Sequence, residues 1–396
     1  MDGVTLNSFT KTIKNFFSKT DKLLWILTIA AVSYSILLIN SMQRAGDYNY
    51  LQSQLIAVVI GYILAVIISM VDYENILKAW WLFAIFGIFL LTLVLFIGIN
   101  VSGTDDTAWI SLPGGFTFQP SEIVKIVFII TFTKHLQVLN ENDKMHTLFG
   151  VLSLVPHIAV PILLVHMQGD DGTALVFVFM FIFMVFVAGL QLRYFLIMLL
   201  LLCAGIPLIW NYVLNDEHKN RFLAVFDIDG NALTNYGWQQ YQGKVSIASG
   251  GLNGHGLNNG PRVATAIVPE QENDFIFTVA GEELGFVGCM LLLLILLLII
   301  VKILINSTIA RDDIGKYICI GVFSMIASQT IINIGMVLSL MPVIGITLPF
   351  FSSGGSSVLS VLISIGLVQS VYTHKDDVKS SGVLKSNRYK YTYNIY

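Results

Sequence analysis

The sequence predicts an all-α polytopic membrane protein with ten transmembrane helices and a large extracellular loop between helices 7 and 8. Three observations carry that expectation. Of the 396 residues, 55% are hydrophobic and only 12% are charged. The mean hydropathy of +0.76 leaves too little polar surface for a soluble domain of this size. The apolar residues also fall in blocks near the roughly 20 residues that one bilayer crossing needs, at 22–40, 51–71, 77–99, 120–136, 148–167, 172–190, 193–214, 274–305, 314–340 and 350–373. Finally, the one long polar interruption, residues 215–273, separates the seventh block from the eighth.

The chain therefore divides into a cytoplasmic N-terminal segment (1–21), a ten-helix membrane domain (22–373, with its outer loop at 215–273) and a cytoplasmic tail (374–396). The first block is too long, and too far from a small-residue cleavage site, for a removed signal peptide, so it reads as an uncleaved helix. With an even number of crossings both termini share one side. That side collects most of the lysines and arginines, including Lys11, Lys14, Lys78, Lys144, Arg311 and Lys316, while the other holds Arg44, Lys219, Arg221, Lys244 and Arg262. The cation-rich side is cytoplasmic, which turns the long loop outward. A net charge of −3 gives no reason to expect nucleic acid. Cys203, Cys289 and Cys319 all fall inside apolar blocks and form no disulfide framework; they read as packing residues.

The basic N-terminal segment suits a membrane surface, and Trp80 and Trp81 suit an interface. Between Gly103 and Lys125, glycines and prolines argue for an ordered outer turn that could re-enter the membrane. Trp109 in this turn is an interface anchor or a platform for a sugar face. Pro120, Ser121 and Glu122 make a good helix start. Glu122 and Lys125, three apart, share a face as a structural ion pair or as substrate-binding groups. Asp170 or Asp171 caps the next helix. Spans six and seven follow with a two-residue connection and are expected to pack as an antiparallel hairpin.

The outer loop holds Arg221, Lys244, Arg262 and a glycine-rich run from Ser249 to Pro261. The run reads as a flexible loop or as a backbone cradle for a diphosphate. His255 has no neighbour at metal spacing. From Pro269 onward acid accumulates at the mouth of an apolar helix. Asn273 or Asp274 could cap that helix, but capping does not explain Glu282 and Glu283 carried into it, about 12 Å deeper along its axis. Ionisable groups at that depth face a cavity or a partner. Asp274 is taken as the centre of the site. At the last outer turn, the small residues from Ser352 to Ser357 permit close helix packing or backbone contact with a headgroup.

Six runs, in order, resemble the SEDS family (shape, elongation, division and sporulation), whose members include RodA, FtsW and SpoVE. They are the Trp109 loop, Phe118 to Lys125, Asp171 to Ala174, Ile247 to Leu252, Asn273 to Phe286 and Leu348 to Ser357. The resemblance implies a lipid II-dependent, inverting peptidoglycan glycosyltransferase at the outer face of the bacterial plasma membrane, partnered by a class B penicillin-binding protein transpeptidase. It places the family's essential aspartate at Asp274, its loop tryptophan at Trp109 and its Glu/Lys pair at Glu122 and Lys125. Asn273 stands where threonine is usual, and Ser353 where many members have tyrosine, so elongation, division and sporulation all stay open.

The expected chemistry is a single displacement with Asp274 as general base on an acceptor sugar hydroxyl and undecaprenyl diphosphate as leaving group. Lys125, Arg221, Lys244 and Arg262 are candidates to stabilise the diphosphate, Glu282 is a further substrate-binding candidate, and a divalent cation, Mg or Mn, is the alternative to the basic residues. No organic cofactor is expected. Two other readings compete: a flippase for lipid-linked precursors, with the buried charges lining its path, and a non-catalytic scaffold for a transpeptidase.

Overall fold

The computed structural model describes residues 18–42, 50–100, 106–112, 116–213, 216–226 and 237–377. The N-terminal segment up to 17, Arg44 and the tail beyond 377 lie outside the described residues. Each of the ten expected blocks falls on a helix. They are α1 (Lys22–Met42), α2 (Tyr50–Met70), α4 (Trp80–Ile97), α5 (Pro120–Glu141), α6 (Leu148–His166), α7 (Asp171–Val187), α8 (Leu192–Leu208), α12 (Ile276–Thr308), α13 (Asp313–Val337) and α14 (Gly355–Thr373). Eight helices among the described residues are long and apolar enough to span a membrane. The other two of the ten are α7, a shorter apolar helix, and α5, which carries Glu122, Lys125, Lys134 and Glu141.

Local chemistry sets the ends. Asp72, Thr147, Asp170 and Asp312 each accept a bond from a backbone N–H in the first turn of the helix they precede, satisfying donors that lipid could not. Proline opens α5, where its missing N–H costs nothing. The third expected span begins instead as a separate turn, α3 (Tyr73–Lys78), which ends at Ala79 before α4 starts. The described part of the turn after α4 includes two paired antiparallel strands, β1 (Ile110–Leu112) and β2 (Phe116–Phe118), with Ile110 opposite Phe118.

The centre of the bundle is α5, α13 and α14. Most of the apolar stretch of α13 (83%) and α14 (78%) is buried, against 17% for α4. Small residues let α14 lie directly on α2: a Cβ on Gly366 would come within 2.7 Å of the Ala65 backbone. That is the packing role expected of a glycine- and serine-rich helix. The expected hairpin of spans six and seven is only partly made. α8 buries none of its residues, and its contact with α7 is confined to its start, where Phe195 meets Phe186 edge-on. In lipid an apolar helix gains little by burying its sides, so nothing obliges α8 to close on its neighbour. Cys203, on α8, is exposed, unlike buried Cys289 and Cys319, so only the latter two are packing residues.

The described part of the long loop between α8 and α12 is built rather than slack. It contains α9 (Asp216–Ala224), α10 (Trp238–Ser249) and α11 (Pro261–Ala264). Its glycine run also enters α12, which is broken at Gly285 (φ 67°, ψ −162°). Across that break the loop supplies the missing partners. Phe286 N–H donates to Gly251 (2.9 Å) and Val287 N–H to Leu252 (3.2 Å), while the carbonyls of Glu282 and Glu283 accept from His255 (3.1 Å) and Gly256 (2.8 Å). A Cβ at 285 would lie 2.3 Å from the Gly254 nitrogen, so the position requires glycine both for its φ and for its space.

Candidate functional site

The starts of α5, α7, α12 and α14 meet at one end of the bundle. The chain reaches α12 through a tight turn in which Glu270 takes φ 53° and its carbonyl accepts from Asn273 (3.0 Å) and Phe275 (3.1 Å). The N-cap of α12 is Phe275, without a side-chain cap, so neither Asn273 nor Asp274 plays the capping part expected of one of them. Asp274 is thereby left with a half-buried carboxylate to which no described residue donates a hydrogen bond. Its Oδ2 lies over Gly345, 3.6 Å from where a Cβ would be. Burial, then the acids Glu270, Asp170, Glu272 and Glu122, push its pKa up to about 7. A carboxylate poised near neutrality, uncapped and partly desolvated, is what a general base needs.

Glu122 and Lys125 form a fully buried ion pair of 2.8 Å, and the second oxygen of Glu122 accepts from Ser360 Oγ on α14 (2.8 Å). Such a pair rewards its desolvation better when its other valences are met, as that of the second Glu122 oxygen is. Asp170 belongs to the same cluster. It caps α7 through Thr173 N–H (2.9 Å) and also accepts from Gln119 Nε2 (2.8 Å) and Ser121 Oγ (3.2 Å) on the approach to α5. Burial holds its carboxyl above the usual range, and the charge of Lys125 counters it. Capping was the only role its sequence position suggested; its link to the Gln119 to Lys125 run appears only when α5 and α7 are set side by side.

The remaining basic and acidic candidates sit elsewhere. Lys244 is exposed on α10, one residue after Gly243, which packs on Phe275 and Thr278. Lys244 is thus near the start of α12 but directed to solvent. Arg221 stands apart on α9. Arg262 is engaged as a strut from α11 to α10, donating Nε to Ser246 Oγ (2.9 Å) and Nη2 to Gln242. Trp109 is half-buried, and its carbonyl accepts from Ile99 N–H (2.8 Å), tying the hairpin to the end of α4.

Glu282 is completely buried. Its Oε1 accepts from the N–H groups of Arg262 (2.6 Å) and Val263 (3.2 Å), while Glu283 Oε1 accepts from Asn258 N–H (3.1 Å). These two carboxylates fill the concavity of backbone donors offered by residues 258–263. The glycine-rich run is therefore neither slack nor a vacant diphosphate cradle: the protein's own acids occupy the anion site, and that occupation explains acid carried into an apolar helix. Among the described residues no three His, Cys, Asp or Glu side chains gather where one metal ion could be held by protein groups alone.

Sequence reasoning also missed Asn333, buried in α13, whose amide bonds the carbonyls of Asp274 (2.8 Å) and Ile346 (2.6 Å). Its amide was the only signal, and Ser328, Gln329 and Thr330 just before it in the helix gave no reason to single it out.

Fold and site define a class: a multi-pass membrane protein with a free, near-neutral carboxylate where several helix starts converge at one end of the bundle. The chain belongs to the FtsW/RodA/SpoVE family, described as cell cycle proteins, whose model matches residues 19–377. It is similar to the peptidoglycan glycosyltransferase MrdB of Escherichia coli K12, at 28% identity over 93% of this chain and 98% of the relative. It is also similar to stage V sporulation protein E of Bacillus subtilis, at 33% identity over 89% and 96%. Among solved structures it resembles a chain of a peptidoglycan synthase complex that coordinates polymerization and crosslinking, with a TM-score of 0.76 and 26% identity over 91% of this chain and 99% of that one. A second similar structure is the rod shape determining protein RodA of Thermus thermophilus, with a TM-score of 0.67 and 25% identity over 91% and 98%.

Proposed function

We propose that this chain is a peptidoglycan glycosyltransferase that polymerises lipid II into β-1,4 glycan strands, with Asp274 as the general base. The observation that carries the mechanism is the Asp274 carboxylate, uncapped, half-buried and raised to about 7. The named activity of the relatives supports the reaction class, and the concentration of cations on the opposite side supports an outward-facing site with both termini cytoplasmic.

In the proposed step an Asp274 oxygen takes the proton of the acceptor's sugar 4-hydroxyl. The acceptor's hydroxyl oxygen, freed of that proton, attacks the anomeric carbon of the donor strand, the carbon–diphosphate bond breaks, and undecaprenyl diphosphate leaves with the bonding electrons. The α-linked donor becomes a β-1,4 link by inversion, so one base suffices and no covalent carboxylate is needed. Protonated Asp274 then returns its proton to water. The starts of α5, α7 and α14 bring their positive dipole ends to this end of the bundle and favour an anion there. Lys125, held by Glu122, is the cation best placed to add to them, with Lys244 at the solvent edge. Arg262 and Glu282 act as supports of the loop. No step is routed through a metal; chelation of divalent ions during polymerisation tests that directly.

A class B penicillin-binding protein is the proposed partner, supported by the similarity to a chain of a synthase complex. Purified protein given lipid II in detergent should produce glycan ladders on a gel. Leaflet exchange in liposomes without ladders would favour the flippase, and neither product would leave the scaffold.

A further inference from the structure

Asp274 makes no side-chain hydrogen bond with the described residues, so something other than a partner on its carboxylate must fix its aim. The backbone does so. The turn at 270–275 is fastened at three places, two in the loop between α13 and α14 and one in α13 itself. Ser353 N–H donates to the Glu272 carbonyl (2.7 Å), Ser352 Oγ to the Asn273 carbonyl (2.7 Å), and Asn333 Nδ2 to the Asp274 carbonyl itself (2.8 Å). The same Asn333 nitrogen donates its other hydrogen to Ile346 (2.6 Å), next to Gly345, against which Asp274 Oδ2 lies. One fully buried amide therefore spans the strip of chain that carries the carboxylate and the strip that forms its floor.

The orientation of that amide is fixed by chemistry. Both contacts are carbonyl oxygens, which only the NH₂ end can satisfy. Its Oδ1 is consequently left buried and without a partner, a cost that a purely apolar side chain in α13 would not carry. A group that accepts an unsatisfied acceptor in order to place its donors is retained for the placement.

We propose that Asn333 is the positioning residue for Asp274, setting the distance and angle of the carboxylate over the Gly345 loop. The inference rests on the reading of Asp274 as the general base. Asn333 touches neither sugar; it acts through the peptide that bears the base.

The test uses full-length purified protein and lipid II. Asn333→Leu keeps the branched outline and suits an apolar helix interior, Asn333→Asp keeps the shape and can offer one O–H donor when protonated, and Ser352→Ala removes a neighbouring fastener without touching Asp274. Displacing a catalytic group by about 1 Å commonly costs about 100-fold. Asn333→Leu should therefore lower kcat by about that factor with KM changed less than about threefold, and the acid limb of its rate profile should move below pH 7 as the carboxylate gains water. Asn333→Asp should recover part of kcat, most at low pH, and Ser352→Ala should stay within about tenfold of the parent. The proposal is overturned if folded Asn333→Leu polymerises at the parental rate with an unmoved limb, if its loss lies wholly in KM, or if Ser352→Ala loses as much as Asn333→Leu. Should the parent itself make no glycan, or Asp274→Asn make it freely, the reading of the site fails instead, and that outcome is distinct from the three above.

Discussion

Acidification should silence this protein well above the pH at which an ordinary aspartate would. With the Asp274 pKa at about 7, only about 1% of the carboxylate is ionised at pH 5, whereas an aspartate at its ordinary value of about 3.9 would be more than about 90% ionised there. Polymerisation limited by this base should thus fall roughly 100-fold between pH 8 and pH 5, by about tenfold per unit below the midpoint. The assay is initial-rate glycan synthesis from purified protein across that range, with thermal unfolding at each pH to show that the protein is intact. Glu270, the largest electrostatic contributor after burial, provides the control. Glu270→Gln keeps the side chain's shape, removes the charge and should shift the acid limb downward. A rate that is flat from pH 5 to pH 8 in folded protein, or a limb indifferent to Glu270, would refute the argument.

Asp274→Asn should reduce polymerisation by about 10²- to 10⁴-fold, the usual contribution of a general base, while raising stability at pH 8. The raised folded pKa means that wild-type stability is full below about pH 4 and is lost as pH climbs through 7. Discounted for the exposure that remains, the variant should gain about 1–2 kcal/mol at pH 8 and nothing near pH 4, read by thermal unfolding. Lys125→Ala strands Glu122 in the bundle core and should cost about 3–5 kcal/mol. Glu122→Gln with Lys125→Met should recover most of that stability without recovering activity, a split visible when unfolding and polymerisation are measured on the same samples. Glu282→Ala leaves the donors of Arg262 and Val263 without their acceptor and should lower stability by about 1–3 kcal/mol; the loop around residues 258–263 should then be cut faster by protease.

What the sequence made legible is what bilayer physics imposes. Long apolar runs had to be helices, and every expected block is one. Pro120 and Asp170 marked helix starts because each has a local chemical reason to be there. Features that depend on a second chain segment were not legible. Nothing local marks Gly285 as a break until residues 250–256 are seen bonded into it, and Leu77 and Lys78 read as the start of the next span until α3 is seen to end at Ala79. Asp274 stood out because acid at the mouth of an apolar helix is conspicuous. Asp170 was half legible, as a cap but not as a neighbour of Lys125. The glycine run read as a flexible loop or a diphosphate cradle and is neither, since N–H groups within 258–263 hold Glu282 and Glu283; periodicity does not report which carboxylate bends back toward which N–H.

The way residues 250–256 complete the interrupted α12 fixes more than a shape. Four main-chain bonds cross the gap at Gly285, at a depth where hydrocarbon could not replace them. Inserting or deleting a single residue in that stretch would throw the pairing out of step and orphan amides and carbonyls together. This part of an interhelical connection should thus tolerate changes of length as poorly as the interior of a helix does, whereas loops open to water commonly vary in length.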